Sequence, residues 1–164
     1  MNVLWNNIAD SLRAELAEYG SLLQLFEQQQ AHLFGRDPDA VLRLSGEIEA
    51  QVARLHDCRA RREQVSMEFA QAHGHPPGAT LRSMLPSIAS DARPLIEALI
   101  NEVNHLIHRT RRITRHNHAL LARAVQTHQE FLRVVRPDAF NHTYAANGRM
   151  SGAVRTGPVL QTAG

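Results

Sequence analysis

The sequence contains no lysine, so all 18 of its basic residues are arginines, and it has one cysteine, Cys58. The arginine bias reads as base composition, since arginine on exposed helix faces needs no functional reason. The single cysteine excludes an intramolecular disulfide, and with it the stapled folds of small secreted proteins. Aromatic residues make up only 5% and β-branched runs are few, which disfavours a sheet and leaves an all-α chain. No apolar run approaches the roughly 20 residues of a membrane span. No basic segment leads into an apolar one near the start, so no membrane insertion is expected and the default address is cytoplasmic. A phosphate-cradling glycine loop, a nucleophile elbow and a His-Glu-x-x-His zinc motif are also missing, so neither an enzyme nor a cofactor is expected.

What the chain does have is helical periodicity. From Asp91 to Arg136 no glycine or proline interrupts it except Pro94, which lies in the first turn. A stripe of Leu95, Leu99, Val103, Leu106, Thr110, Ile113, Asn117, Leu120, Ala124, His128, Phe131 and Val135 recurs at three-and-four spacing, the seam of a coiled coil or helical bundle. At about 1.5 Å per residue such a helix is roughly 70 Å long and needs partners of similar length. An earlier helix over about 2–34 carries Leu4, Ile8, Leu12, Leu16, Tyr19, Leu23, Phe26 and Leu33 on one face. Gly35-Arg36-Asp37-Pro38 then punctuates the chain: Gly35 suits the position past a helix end, Asp37 can cap the next helix, and Pro38 fits its first turn. So short a connection folds the second helix, about 38–72, antiparallel onto the first.

The seam expected for that second helix is Val41, Leu44, Ile48, Val52, Leu55, Cys58 or Arg59, Arg62, Val65 and Phe69. Its arginines interrupt the stripe, either snorkelling over the core edge or marking a frayed zone. A breaker from His73 to Ala79 follows, then a short apolar turn capped by Thr80, with Asp91 as candidate cap of the last long helix. The expected architecture is an elongated antiparallel three-helix bundle over 1–136, with residues 137–164 a flexible tail whose glycines and scattered apolar residues cannot bury enough surface to order it. The formal charge of +2 conceals an asymmetry: residues 1–39 carry two arginines against six acids, and residues 101–164 carry nine against three. An acidic first helix beside a basic last one is consistent with their packing together.

Among possible sites, Glu102-x-x-His105 has the spacing of a di-iron ligand pair, but a di-iron bundle needs a second such pair and two further inward glutamates, which the chain does not supply. No closed tetrahedral set forms around Cys58 either, so no metal is expected. Arg109, Arg111, Arg112, Arg115 and Arg123 could contact phosphates, yet the run has no stacking aromatics and one face is committed to packing, which disfavours nucleic acid as a partner. The polar seam positions Thr110, Asn117 and His128 carry more information, because a buried polar group costs stability unless paired. Each marks either an internal bond between helices or a seam left open for another helix.

Thr114-Arg115-His116-Asn117-His118-Ala119-Leu120-Leu121 resembles the Asn-x-x-Asn-x-x-Leu-[Leu/Ile] pattern of the FlgN-type flagellar export chaperones, and Tyr144-Ala145-Ala146-Asn147-Gly148 resembles their Tyr-x-x-x-Gly pattern. Thr114 stands where that family has its first asparagine. The resemblance implies a cytoplasmic helical chaperone that binds the C-terminal helical region of hook–filament junction proteins and delivers them to the flagellar type III export apparatus. It places the client surface around Asn117, Leu120, Leu121 and Ala124, and periodicity extends it to Phe131, Leu132 and Val135. It makes Tyr144 and Gly148 the contact with the export gate. The alternative is a generic coiled-coil adaptor, with a basic-helix nucleic-acid binder behind it.

Overall fold

The computed structural model describes residues 3–136. The chain is all-α: α1 spans Val3–Gly35, α2 Pro38–Ala72, α3 Leu81–Met84 and α4 Arg93–Val135, with a 3₁₀ turn over Leu85–Ser87. By contacts the chain divides into two units, residues 1–120 and 121–164, so the division falls within α4. The expected tail, with Tyr144 and Gly148, lies outside the described residues.

In the first unit α1 and α2 form an antiparallel hairpin. Gln29 faces Ser45, Glu18 faces Gln51 and Glu15 faces Arg62, pairings in which one number rises as the other falls. α4 runs parallel to α1, since Glu27 meets Arg109 and Gln29 meets Asn117. The Arg109–Glu27 ion pair, 3.0 Å long, joins the basic helix to the acidic one.

Asp37 caps α2 as expected, its Oδ1 accepting from Ala40 N at 3.1 Å. The end of α1 differs from expectation. Gly35 is the last helical residue, and Arg36 adopts the left-handed φ of 54°. Asp37 N donates to His32 O and Arg36 N to Leu33 O, the two bonds of a Schellman turn, so arginine occupies the position where glycine is favoured. α2 ends with the same pair of bonds, His75 N to Ala70 O and Gly74 N to Gln71 O, and there glycine holds the left-handed place with φ 70°.

The crossover is part of the core. Thr80 Oγ1 accepts from Ser83 N to start α3, and Met84, Leu85, Ile88 and Ala92 are buried with Ile8, Leu12, Phe69 and Ile96. Arg93 ties it down by donating to the carbonyls of Leu85, Pro86 and Ile88. Asp91 accepts from Ala92 N ahead of the helix, and α4 begins two residues later than expected.

The seams are corrected in a consistent way. In α1 the buried line is Ile8, Leu12, Glu15, Tyr19, Leu22, Phe26 and Gln29, with Leu16 and Leu33 only half-buried. In α2 it is Val41, Leu44, Ile48, Gln51 and Leu55, then Phe69, while the expected Val52 is exposed. In α4 it is Ile96, Ile100, Val103, Thr110 and Asn117, while the expected Leu95 is exposed. The α1 line alternates strictly between three and four, the α2 and α4 lines keep that register with gaps of whole heptads, and the α1 and α2 lines contain polar residues, Glu15, Gln29 and Gln51, that a search for apolar side chains passes over.

Candidate functional site

Two features could serve a function: the polar contacts inside the first unit, and the helix that continues beyond it. α2 runs unbroken through the arginines that interrupt its stripe, and one of them, Arg62, points inward. Arg62 Nε donates to Glu15 Oε2 at 2.6 Å, and Glu15 has no exposed surface at all. Arg59 Nε stands 3.9 Å from Oε1, beyond hydrogen-bond reach, and that oxygen has no hydrogen bond. Glu15 and Arg62 line a cavity of about 840 Å³ with Leu12, Met67, Ile100 and Ile107. The sequence held a signal for Glu15: it lies three residues after Leu12 and four before Tyr19, on the heptad line, where Leu16 was the apolar choice.

One turn before Arg62 in α2, Cys58 is half-buried, and burial raises its thiol pKa above the usual range, with Glu15 and Glu18 adding to the effect. Gln51 donates to Glu18 O at 3.0 Å and to Glu18 Oε2 at 2.5 Å.

Asn117, expected on the client surface, is enclosed. Its Nδ2 donates to Phe26 O at 2.9 Å and to Gln29 Oε1 at 3.1 Å, which is the internal helix-to-helix bond of the two readings open for this position. Its Oδ1 has no hydrogen bond, nor has Oγ1 of buried Thr110. His128, the third polar seam position, is exposed. Glu102 and His105 are both exposed, and no group of three metal-capable side chains occurs among the described residues. No helix among those residues is long and apolar enough to cross a membrane. Arg111, Arg112, Arg115 and Arg123 are exposed, but Arg109 is engaged by Glu27.

Leu120 and Leu121 are half-buried where the two units divide. Beyond them Ala124 is exposed, Leu132 is half-buried, and a set of large apolar side chains is open to solvent: Val125 at 54%, Phe131 at 61%, Val134 at 81% and Val135 at 56%. Val125 and Val134 were not among the expected residues, although Val134 is three residues from Phe131 and so its neighbour on the helix surface. Gln126 donates to Glu130 Oε1 and Thr127 Oγ1 to the carbonyl of Arg123, each one turn away along the helix.

A FlgN protein family model matches residues 1–152, a span that includes every helix described above. The chain belongs to the FlgN family. No curated protein and no solved structure matched it. FlgN proteins are chaperones of flagellar export, and membership makes this chain a member of a chaperone family. The match covers the bundle, all of α4 and the Tyr144–Gly148 motif.

Proposed function

We propose that this FlgN-family protein is a cytoplasmic chaperone that holds hook–filament junction proteins by their C-terminal helical region before export. The observation that carries the reading is the exposure of Val125, Phe131, Val134 and Val135 on a helix that continues from a packed bundle. Exposed apolar side chains at helical spacing are what an amphipathic client helix needs for helix-in-groove capture. The contact surface comprises Leu120, Leu121, Ala124, Phe131, Leu132 and Val135, to which Val125 and Val134 are added. Asn117 is a packing residue behind it and not a contact. Tyr144 and Gly148 serve the export gate.

The test uses the full chain and the C-terminal segments of candidate junction proteins. Polar replacement of Leu121 and Phe131 abolishes capture of the segment in a pull-down while far-ultraviolet circular dichroism keeps its helical form. Loss of helix together with capture means that these side chains are core, and the surface assignment fails. Tyr144→Ala leaves capture intact and lowers secretion of the client; unchanged secretion removes the gate contact from the proposal.

A further inference from the structure

The apolar pattern of α4 is ambiguous as a packing instruction. Apolar residues come in adjacent pairs, Leu95-Ile96, Leu99-Ile100 and Leu106-Ile107, and then Leu120-Leu121. In the first two pairs Ile96 and Ile100 are buried while Leu95 and Leu99 lie about 100° around the helix, and in the later pairs both members are half-buried. A helix with so broad a stripe can sit on its neighbour in two rotational settings of similar apolar content, and hydrophobic contact, being non-directional, distinguishes them weakly.

A directional contact separates them. Asn117 Nδ2 donates both of its hydrogens into α1, one to the Phe26 carbonyl and one to Gln29 Oε1. Gln29 Nε2 in turn donates to Ser45 Oγ on α2 at 3.2 Å, and Ser45 Oγ donates to Val41 O at 2.9 Å. This chain of bonds crosses all three long helices at one level. Moving α4 by a single residue shifts it about 1.5 Å along its axis and turns it about 100°, which breaks both Asn117 bonds. Asn117 gains these bonds at the expense of an enclosed Oδ1 with no partner. A leucine would remove that unpaired oxygen and add apolar contact but leave Gln29 Oε1 without its donor, so the terms oppose and net stability does not by itself single out asparagine.

We propose that Asn117, with Gln29 and Ser45, is a register lock: it sets the rotation and axial position of α4 on the α1–α2 hairpin, as a single buried asparagine does in a coiled-coil seam. Asn117 is a positioning residue and touches no partner. Its importance to client capture rests on the function proposed above; the register itself does not, and the test involves no client.

The experiment places spin labels on the full chain at exposed sites of α1 and α4, Gln24→Cys and Ala119→Cys, in a Cys58→Ser background, and measures the distance between them by pulsed electron resonance. With Asn117 present the distribution is narrow. Asn117→Leu keeps the helical signal and a cooperative thermal transition, while the distribution broadens or splits by several ångströms. Gln29→Leu, which removes an acceptor from the α1 side, broadens it as well. An unchanged narrow distribution in both variants overturns the proposal. Loss of helix in Asn117→Leu also overturns it, because the asparagine then holds stability and not register.

Discussion

Arg62→Met tests the energetics of the bundle most directly, because it removes the charge from a pair whose other member is wholly enclosed and keeps most of the apolar stem. Glu15 then retains only the half-exposed Arg59, 3.9 Å from Oε1 and without a hydrogen bond. Removing one partner of a buried pair costs about 3–5 kcal/mol, chiefly the penalty of leaving the other charge unpaired. Two features place this case at the lower end. Arg59 still contributes some field, and the cavity of about 840 Å³ beside both residues gives water a route toward the carboxylate once the guanidinium is gone. An expected loss of about 3 kcal/mol lowers the melting temperature of a chain this size by about 9 °C, at roughly 3 °C per kcal/mol. Thermal and urea unfolding followed by circular dichroism measure it. Glu15→Leu with Arg62→Met removes both charges, and its stability returns to within about 1 kcal/mol of the parent or exceeds it. A single-variant drop below about 3 °C, or a double variant no better than the single, refutes the buried-pair account.

Three further outcomes are expected. Arg36→Gly raises stability by about 0.5–1 kcal/mol, because glycine relieves a left-handed arginine that costs about 1–2 kcal/mol and gives back part of this as chain entropy. A melting temperature that does not rise counts against the strained turn. Asp37→Ala loses the α2 cap and about 1 kcal/mol, read by urea unfolding; no change means that the Ala40 N bond contributes nothing. Cys58 reacts with iodoacetamide more slowly than a free cysteine peptide at neutral pH, and its rate climbs to a plateau at a higher pH than the peptide's, because burial disfavours the thiolate. Matching pH profiles refute the assigned environment.

Much of the fold was legible in the sequence because helix boundaries depend on local chemistry. Asp37 and Thr80 cap where their side chains predict, Pro38 opens α2, and the glycines at 74 and 78 break the chain between α2 and α3. The long uninterrupted stretch led to α4 with both ends placed within two residues. The end of α1 was missed by one residue, since nothing local says whether Gly35 or Arg36 takes the left-handed place. For the candidate site, periodicity located an apolar second half of α4, while the burial of Asn117 depended on what lay opposite it.

The sequence by itself determined an all-α chain, three long helices, the hairpin between the first two and the surplus of apolar side chains after Leu121. These follow from periodicity, capping and chain length, which act over a few residues. Only the tertiary structure decided which side chains form the seams. Glu15, Gln29 and Gln51 occupy buried positions that Leu16 or Val52 could have claimed on hydrophobicity alone, whereas Arg62, Thr110 and Asn117 stand on stripes that periodicity alone picks out. A buried polar side chain is held most readily where a partner on another helix meets it, as Arg62 meets Glu15 and Gln29 meets Asn117. That partner is far away in the chain, and one helix's periodicity carries no record of it.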